Sequence, residues 1–231
     1  MDKRIVVNVG FTETRVAVQE GNLLTELYLE RHRQRSIVGS VYKGVVTNVL
    51  PGMQAAFVDI GLAKDAFLYV GDYAAETGDA YPRTMLEGGE EDADVDVEEA
   101  EPRREVRVPI EEVLRKGQEI LVQVSKESLG TKGARITSFI SLPGRYLVYM
   151  PRAAHVGVSR RIHDERERER LRTTIRALTP PSGGFIVRTN AEGKGEAEFS
   201  ADVEFLGRLW AQVQARYEHA RAPRSSTRRW T

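Results

Sequence analysis

The stretch from residue 41 to residue 70 constrains the fold most, because it carries three strand-like runs with turn residues between them. Each run is rich in β-branched, aromatic or other apolar residues, and Pro51-Gly52 and Gly61 mark the gaps. Two later runs have the same character. The five runs are Val41–Val49, Gln54–Ile60, Ala66–Val70, Glu119–Ser125 and Ala134–Ser141. Five short strands of this kind indicate a small Greek-key barrel of the OB type.

The composition is that of a globular protein with room for one or two domains in its 231 residues. No run is as long as a membrane span, and the N-terminus lacks the apolar region of a signal peptide. We therefore expect a cytoplasmic protein without a transmembrane segment. The chain has no cysteine, which excludes disulfides, thiol catalysis and thiolate metal sites. It also contains no Walker loop, nucleophile elbow, HExxH or GxGxxG motif.

Further strand and helix patterns flank the predicted barrel. The other predicted strands are Lys3–Val9, Thr14–Gln19, Leu23–Glu30, Arg145–Met150 and Phe185–Thr189. Asp164–Leu178 predicts a helix, because Leu171, Ile175 and Leu178 form one apolar stripe. A second helix is predicted with Ser200 as its N-cap. Its apolar stripe includes Trp210 and Tyr217, which we expect in the core.

Six sequence words occur in the same order as in one known family. They are YKGVV at Tyr42–Val46, AAFVDIG at Ala55–Gly61, AFL at Ala66–Leu68, KGARITSFISLPGRYLVYMP at Lys132–Pro151, SRRI at Ser159–Ile162 and IVRT at Ile186–Thr189. Together they resemble the N-terminal half of the ribonuclease E/G family endoribonucleases. The resemblance implies an α+β protein of RNA processing and decay, in which an S1-type OB β-barrel is inserted into a ribonuclease-H-like α/β domain.

The resemblance also implies the domain boundaries. Residues 37–137 are the S1 RNA-binding domain, and residues 1–36 plus 138–221 form a discontinuous ribonuclease-H-like domain with a 5′-sensor segment. Such sheets usually carry a metal-binding carboxylate on their first strand, but Asn8 stands near that place, so we expect a structural role for it. Residues 222–231 are expected to be an unstructured tail without a family word, which a frameshift, an early stop or a gene-model error would explain.

An acidic segment interrupts the predicted barrel between its third and fourth strands. The stretch from Tyr73 to Pro109 is rich in Asp and Glu and poor in large apolar side chains, so we expect a disordered insertion at about residues 76–108. Its carboxylates do not have EF-hand spacing, which disfavours a metal site. Solvated disorder and weak competition with RNA as a polyanion mimic both stay open.

The first candidate site is the outer surface of the barrel. Single-stranded RNA is held by bases stacked on exposed aromatic rings and by cations along its backbone. By resemblance, Phe57 and Phe67 are the stacking residues and Lys132 is the nearby cation. The supporting candidates are Tyr42, Lys43 and Lys64. The alternative is that both phenylalanines belong to the core, because strand register decides which face a ring takes.

The second candidate site is the pair Arg188-Thr189. In the family, the matching pair reads the 5′-monophosphate of an RNA, and a guanidinium fork with a neighbouring hydroxyl suits phosphate oxygens. The other residues that the resemblance assigns to this end are Gly144, Val148, Arg160 and Arg161. Lys194 lies in a glycine-flanked loop nearby, whereas Glu192 departs from the family pattern and is an unfavourable charge beside a phosphate. The alternative is that Arg188 forms an internal ion pair.

Catalysis is expected to need residues outside this sequence. The resemblance implies Mg²⁺ held by aspartates of a following domain, and no paired-carboxylate word of that type occurs after Ser159. We therefore expect no cofactor in this chain, and its enzymatic activity stays open. The expected partners are single-stranded RNA, without DNA specificity, and a missing or separately encoded catalytic half. The alternatives are a non-catalytic S1-type regulatory protein and a truncated gene product.

Overall fold

The computed structural model describes residues 2–32, 36–73, 95–97, 108–128, 132–152, 156–178, 183–222 and 224–225. The chain forms two compact units, Met1–Ile37 and Val38–Thr231. The predicted union of residues 1–36 with residues 138–221 in one ribonuclease-H-like domain stays a prediction. Among the described residues, no helix has the length and apolar character needed to cross a membrane.

The first unit is an antiparallel sheet in the order β1-β2-β3. Its strands are β1 (Lys3–Val9), β2 (Glu13–Glu20) and β3 (Leu23–Arg31), which confirms the three predicted strands. Asn8 is exposed and lies opposite Arg15. Neighbouring residues of β1 face opposite sides of the sheet, and Ile5, Val6 and Val7 are all at least half exposed. Both faces of this sheet therefore carry exposed apolar side chains.

The second unit contains a barrel and a helix-covered sheet. Its strands are β4 (Val41–Leu50), β5 (Ala55–Asp59), β6 (Ala66–Tyr69), β7 (Val95–Val97), β8 (Glu119–Lys126), β9 (Arg135–Thr137), β10 (Leu142–Pro143), β11 (Leu147–Met150), β12 (Val156–Ser159), β13 (Gly184–Val187) and β14 (Arg224–Ser225). Its α-helices are α1 (Ile110–Val113), α2 (Glu165–Leu178) and α3 (Glu196–His219). The predicted α+β class is confirmed.

The barrel strands follow the order β4-β5-β6-β9-β8, and pairing between β4 and β8 closes the ring. This closed five-stranded barrel confirms the predicted OB type. Its interior is filled by alternate residues of each strand, with Val46, Val58 and Leu68 at most 1% exposed. The loop before β9 approaches the start of β6 at Gly133. A glycine is needed there, because an ideal Cβ would lie 1.9 Å from the carbonyl oxygen of Asp65.

The second sheet has the order β10-β11-β13-β12-β7, with β12 and β13 parallel. Helices α2 and α3 cover it, and the predicted stripe residues Leu171 and Ile175 are fully buried. Phe185 and Phe199 are the largest fully buried side chains of this core. Tyr217 and Trp210 pack against it and are partly buried, as predicted. The core also includes Val41 and Leu121 of the barrel, so one apolar cluster joins both layers.

Two segments that were expected to be unstructured contain short strands. Strand β7 lies inside the acidic insertion and pairs antiparallel with β12, with Val95 opposite Ser159. Strand β14 lies inside the predicted tail and pairs with β4, with Ser225 opposite Tyr42. In both cases a strand of two or three residues pairs with the open backbone groups of a neighbouring strand. The rest of the insertion between 74 and 107, residue 223 and residues 226–231 lie outside the described residues.

The start of α3 also differs from the prediction. The helix begins at Glu196 with Gly195 as N-cap, whereas Ser200 lies inside the helix and is exposed. The Glu198 carboxylate accepts the Gly195 amide at 3.2 Å. This bond satisfies a backbone donor ahead of the first turn, and an acid in that turn also favours the helix dipole, so the helix starts one turn earlier.

Helix α2 holds the loop between β13 and α3. The Glu167 carboxylate accepts two hydrogen bonds from Arg170, each 2.6 Å, and one from the Gly193 amide at 2.8 Å. Arg170 in turn donates to the Lys194 carbonyl oxygen at 2.9 Å. The hydrogen bonds from Arg170, helped by the Gly193 amide and opposed by burial, lower the pKa of Glu167 to about 2. We call this set of contacts the loop clamp.

Replacement of Gly133 by alanine is expected to lower the free energy of unfolding by about 1–3 kcal/mol, because the new Cβ meets backbone that cannot rotate away. The matched control is Gly52→Ala in the same barrel, where an added Cβ meets nothing within 4 Å. We expect that control to stay within about 0.5 kcal/mol of wild type. Urea titration of both variants is the measurement, and equal stabilities would contradict the close approach of β6 and β9.

The variant Glu167→Gln is expected to be less stable than wild type at pH 7, by about 1 kcal/mol after allowance for its partial exposure. The pKa of Glu167 is lowered from 4.5 in the unfolded reference to about 2, so its contribution is complete above pH 4.5 and disappears as the pH falls towards 2. The difference between the two proteins should therefore shrink over that interval. Thermal melts from pH 7 to pH 3 measure it.

The control for the loop clamp is Glu204→Gln, which removes an exposed ion pair with Arg208 on α3. We expect this change to stay below about 0.5 kcal/mol at every pH. A wild-type advantage over Glu167→Gln that grows as the pH is lowered would contradict the direction of the Glu167 pKa shift.

Candidate nucleic-acid interface

Phe57 and Phe67 lie side by side on the outer face of the barrel. They are directly opposite each other on β5 and β6, with ring centroids 6.0 Å apart and ring planes at 70°. Both are half-buried, whereas their chain neighbours Val58 and Leu68 are fully buried. Because side chains alternate along a strand, a filled interior leaves these two rings facing outward. The structure therefore favours outward rings over the core alternative.

The pair belongs to a row of side chains that crosses the barrel surface, which we call the outer row. It runs over five strands in register. Its members are Asn48, Phe57, Phe67, Arg135 and Lys126. Cross-strand partners share a face of a sheet, so two rings and two cations are neighbours on this surface. Asn48 and Lys126 are exposed, and the Arg135 side chain is 43% exposed while it donates to Asp72 at 2.7 and 3.0 Å.

Three residues of this surface escaped the prediction from sequence. Arg135 and Lys126 are placed by strand register, which a single sequence does not reveal. Tyr69 is half-buried and lies two positions beyond Phe67 on β6, on the same face. The alternation of Ala66, Phe67, Leu68 and Tyr69 is the signal that could have identified it.

Lys132 and Lys64 are exposed at the edge of this surface. Lys132 directly precedes Gly133, whose close contact with the Asp65 backbone keeps the loop against the start of β6. The Asp65 carboxylate accepts a hydrogen bond from the Thr47 hydroxyl at 2.7 Å. Lys132 is therefore held near the start of β6, and its role as the cation beside the two rings stays a prediction.

Tyr42 and Lys43 do not contribute to this surface, which corrects the prediction. Tyr42 is 5% exposed, and burial raises the pKa of its phenol, partly offset by a hydrogen bond with Ser40. The Lys43 ammonium is 2.9 Å from Glu119 and 3.0 Å from the carbonyl oxygen of Ala220, and it lies 4.8 Å from the centre of the Tyr217 ring. The end of α3 covers Lys43, whereas Tyr42 lies on the opposite face of β4, which it shares with the buried Val46.

The second site lies where β13 ends. Arg188 follows Val187 and caps a short 3-10 turn, Thr189–Ala191. The Arg188 guanidinium Nη1 donates to the carbonyl oxygen of Gly144 at 2.9 Å, and its backbone amide donates to Tyr146 at 2.9 Å. The structure thus brings Arg188, Thr189 and Gly144 together, all of them residues that the sequence assigned to one pocket.

Val148 and Arg160 lie on different parts of the sheet that carries Arg188. Val148 lies on β11 opposite Ile186 and is half-buried. Strands β12 and β13 are parallel, and Val158 pairs with Val187, so the two strands end on the same side of the sheet. Arg160, Arg161, Arg188 and Thr189 follow those strand ends, and both Arg160 and Arg161 are exposed. Two basic segments therefore meet at this edge.

The turn between β10 and β11 is held by a carboxylate that the sequence reading missed. Asp202 of α3 is 8% exposed and accepts the backbone amides of Arg145, Tyr146 and Leu147 at 3.1, 2.7 and 3.0 Å. An ideal Cβ on Gly144 would lie 2.7 Å from the Asp202 Oδ2 atom, which explains the glycine. The signal in the sequence is an acid within the apolar stripe of α3.

The described part of the chain offers no ligand set for Mg²⁺. Within it, no three His, Asp or Glu side chains come together as a candidate metal site. The carboxylates of Asp202, Glu167 and Asp72 each accept hydrogen bonds from backbone amides or from an arginine. The metal chemistry that the resemblance implies therefore has no cluster to use among these residues.

Comparison with known proteins identifies the family that this chain resembles. A family model described as the Ribonuclease E/G family matches residues 141–228. The chain is 49% identical to Ribonuclease G of Escherichia coli (strain K12) over 216 residues, which are 94% of this chain and 41% of that protein. It is 47% identical to Ribonuclease G of Haemophilus influenzae over 212 residues, which are 92% of this chain and 40% of that protein.

A more distant relative covers the same region. Ribonuclease E of Escherichia coli (strain K12) is 35% identical over 224 residues, which are 96% of this chain and 19% of that protein. The chain thus spans about two fifths of the length of the Ribonuclease G proteins that it matches. Since nearly half of its residues are identical to theirs along almost its whole length, the chain belongs to the ribonuclease E/G family.

Proposed function

We propose that this chain is the RNA-binding portion of a ribonuclease E/G-type endoribonuclease of RNA processing and decay. The observation that carries the proposal is the outward pair Phe57 and Phe67 on a closed barrel. Burial of a phenylalanine is worth about 1.5–3 kcal/mol, so two adjacent rings that stay partly exposed forgo part of this free energy. Bases stacked on them recover this contact, and every base can stack.

The cations of the outer row fit the backbone of a single strand. Arg135 and Lys126 continue the row beyond Phe67, and Lys132 lies beside it. Phosphate contacts of this kind add affinity without reading sequence, and each weakens as the salt concentration rises. Rings for bases and cations for phosphates together favour single-stranded RNA as the ligand.

The edge with Arg188 is proposed to bind the 5′-monophosphate end of the RNA. Arg188 is oriented by the Gly144 carbonyl oxygen, and Thr189 follows it directly. A guanidinium and a hydroxyl on the same turn offer charge-assisted bonds to phosphate oxygens. Arg160 leaves the parallel neighbouring strand at the same edge and adds positive charge.

The cleavage step is proposed to need more than this chain. The names Ribonuclease G and Ribonuclease E connect the relatives with cleavage of RNA. In such an enzyme a bound Mg²⁺ supplies a water nucleophile and charge stabilisation. The chain spans 41% of Ribonuclease G from Escherichia coli, so we assign the metal ligands to the rest of such a protein or to a separately encoded partner. The chain's own residues hold the RNA.

A second candidate function is a non-catalytic S1-type RNA-binding or regulatory protein. It is favoured by the exposed acid Glu192 near the proposed phosphate site, since a carboxylate there repels phosphate. With this second function, the outer row still binds RNA, but the protein does not prefer RNA with a 5′-monophosphate. The cytoplasmic location expected from the sequence stays a prediction under either function.

The double variant Phe57→Ala/Phe67→Ala is expected to bind a short single-stranded RNA at least tenfold more weakly, on the order of 2 kcal/mol, because both stacking surfaces are removed. Fluorescence anisotropy with a labelled oligonucleotide measures it. The matched control is Phe205→Ala, which removes a 50% exposed ring from α3. Unchanged affinity in a folded double variant would refute the stacking surface.

Wild-type protein is expected to bind RNA with a 5′-monophosphate more tightly than the same RNA with a 5′-hydroxyl. The variant Arg188→Ala should lower the affinity for the monophosphate by about tenfold, which is the loss of one charge-assisted contact, and leave the hydroxyl form unchanged. The control Arg208→Ala removes an arginine from the surface of α3. Equal binding of both RNAs by wild type would favour the non-catalytic candidate, and cleaved RNA on a gel with Mg²⁺ would contradict the proposed need for a further catalytic part.

A further inference from the structure

The turn from Gly144 to Leu147 uses its backbone amides on one side only. Three consecutive amides, from Arg145 to Leu147, point to the carboxylate of Asp202. The fourth, of Gly144, donates to the Leu147 carbonyl oxygen at 2.7 Å and closes the turn. A row of amides around one carboxylate is a backbone anion site, and here a buried side chain of α3 fills it. The turn is thereby fixed to the helix.

Three carbonyl oxygens of the same turn accept hydrogen bonds from Arg188 or Asn190. Gly144 accepts the Arg188 guanidinium at 2.9 Å, and Tyr146 accepts the Arg188 amide at 2.9 Å. Arg145 accepts the side-chain amide of Asn190 at 2.6 Å. Three consecutive peptide groups link these residues, from Gly144–Arg145 to Tyr146–Leu147. In each of them the N–H donates to Asp202 and the C=O accepts a hydrogen bond from Arg188 or Asn190. The turn transmits the position of α3 to the guanidinium.

We propose that Asp202 is a positioning residue for 5′-monophosphate recognition, acting through the turn on Arg188. The inference rests on the proposed function of that edge. Hydrogen bonds in series polarise one another, so a carboxylate that holds the amides strengthens the acceptor oxygens opposite. Its negative charge is taken up by three N–H groups, which keeps it from opposing the phosphate.

The close approach of Gly144 and Asp202 allows variants to separate a positioning role of Asp202 from a packing role. The three atoms nearest to an added Cβ on Gly144 are Oδ2, Cγ and Oδ1 of Asp202, at 2.7, 2.9 and 3.0 Å. Gly144→Ala alone therefore overfills the site, whereas Asp202→Ala vacates the space that the new methyl needs. The double variant Gly144→Ala/Asp202→Ala restores packing without restoring the carboxylate.

The experiment compares 5′-monophosphate and 5′-hydroxyl forms of one short RNA by anisotropy, with melting temperature as the measure of folding. For Asp202→Asn we expect the preference for the monophosphate to fall by about fivefold, with binding of the hydroxyl form unchanged. The resonance of the Arg188 Nε–H group in an NMR spectrum should shift in the same variant. Glu204→Gln, an exposed acid on the same helix, is the control and should change neither quantity.

The double variant Gly144→Ala/Asp202→Ala distinguishes the positioning role of Asp202 from its packing role. We expect Gly144→Ala/Asp202→Ala to melt at a higher temperature than Gly144→Ala and still to lack the preference. Full preference in folded Asp202→Asn, or preference recovered together with stability in the double variant, would overturn the positioning role and leave the proposed function standing. Wild-type protein that binds both RNAs equally would instead overturn the 5′-end function itself, and this inference with it.

Discussion

Closure of the barrel by β4 and β8 is the constraint on which the proposed RNA surface depends. Once Val41–Val45 pairs with the residues from Glu119 to Gln123, the ring has no open edge between these strands, and each strand must place alternate residues inside. Val58 and Leu68 take interior positions, so Phe57 and Phe67 have no place but the surface. The exposure of the two rings follows from the closed geometry of the whole barrel, although each ring alone would gain from burial.

The sheet behind the barrel is organised by directed polar contacts at its edge. Its interior is apolar and shares one core with the barrel, which sets where β11 and β13 lie. Tyr146 of the turn before β11 is buried and packs edge-on against Phe199 of α3, whereas polar contacts hold the rest of that turn and the loop after β13. The Asp202 carboxylate fixes the turn, and Glu167 with Arg170 fixes the loop. Both carboxylates act on backbone groups, so they set the position of the chain around Arg188.

The sequence was sufficient where local periodicity decides structure. The helix stripe of Leu171 and Ile175 was predicted correctly, because it depends on residues close together in the chain. The outward position of Phe57 was an expectation from the family resemblance, since the strand pattern alone left the face of the ring open. Tyr42 was misjudged because it shares a strand face with Val46, which fills the barrel interior. Lys43 was misjudged because its acceptor, the carbonyl oxygen of Ala220, is 177 positions away in the sequence. The same limit applies to β7, whose acidic surroundings predict disorder while its backbone completes the edge of β12. The role of Asp202 was hidden because the amides that it accepts belong to a turn 55 to 57 positions away in the sequence.

If the proposed function holds, the two surfaces contribute different physical quantities to binding. Stacking on Phe57 and Phe67 is indifferent to base and to the end of the strand, and it changes little with salt. The contacts at Arg188 act on a terminal charge, so they distinguish one RNA end from another and weaken as salt screens them. Affinity would then come mainly from the barrel and selectivity from the edge of the sheet. Specificity is a difference between two affinities, so a small, well-oriented set of polar contacts around Arg188 can control it without adding much to the total binding energy.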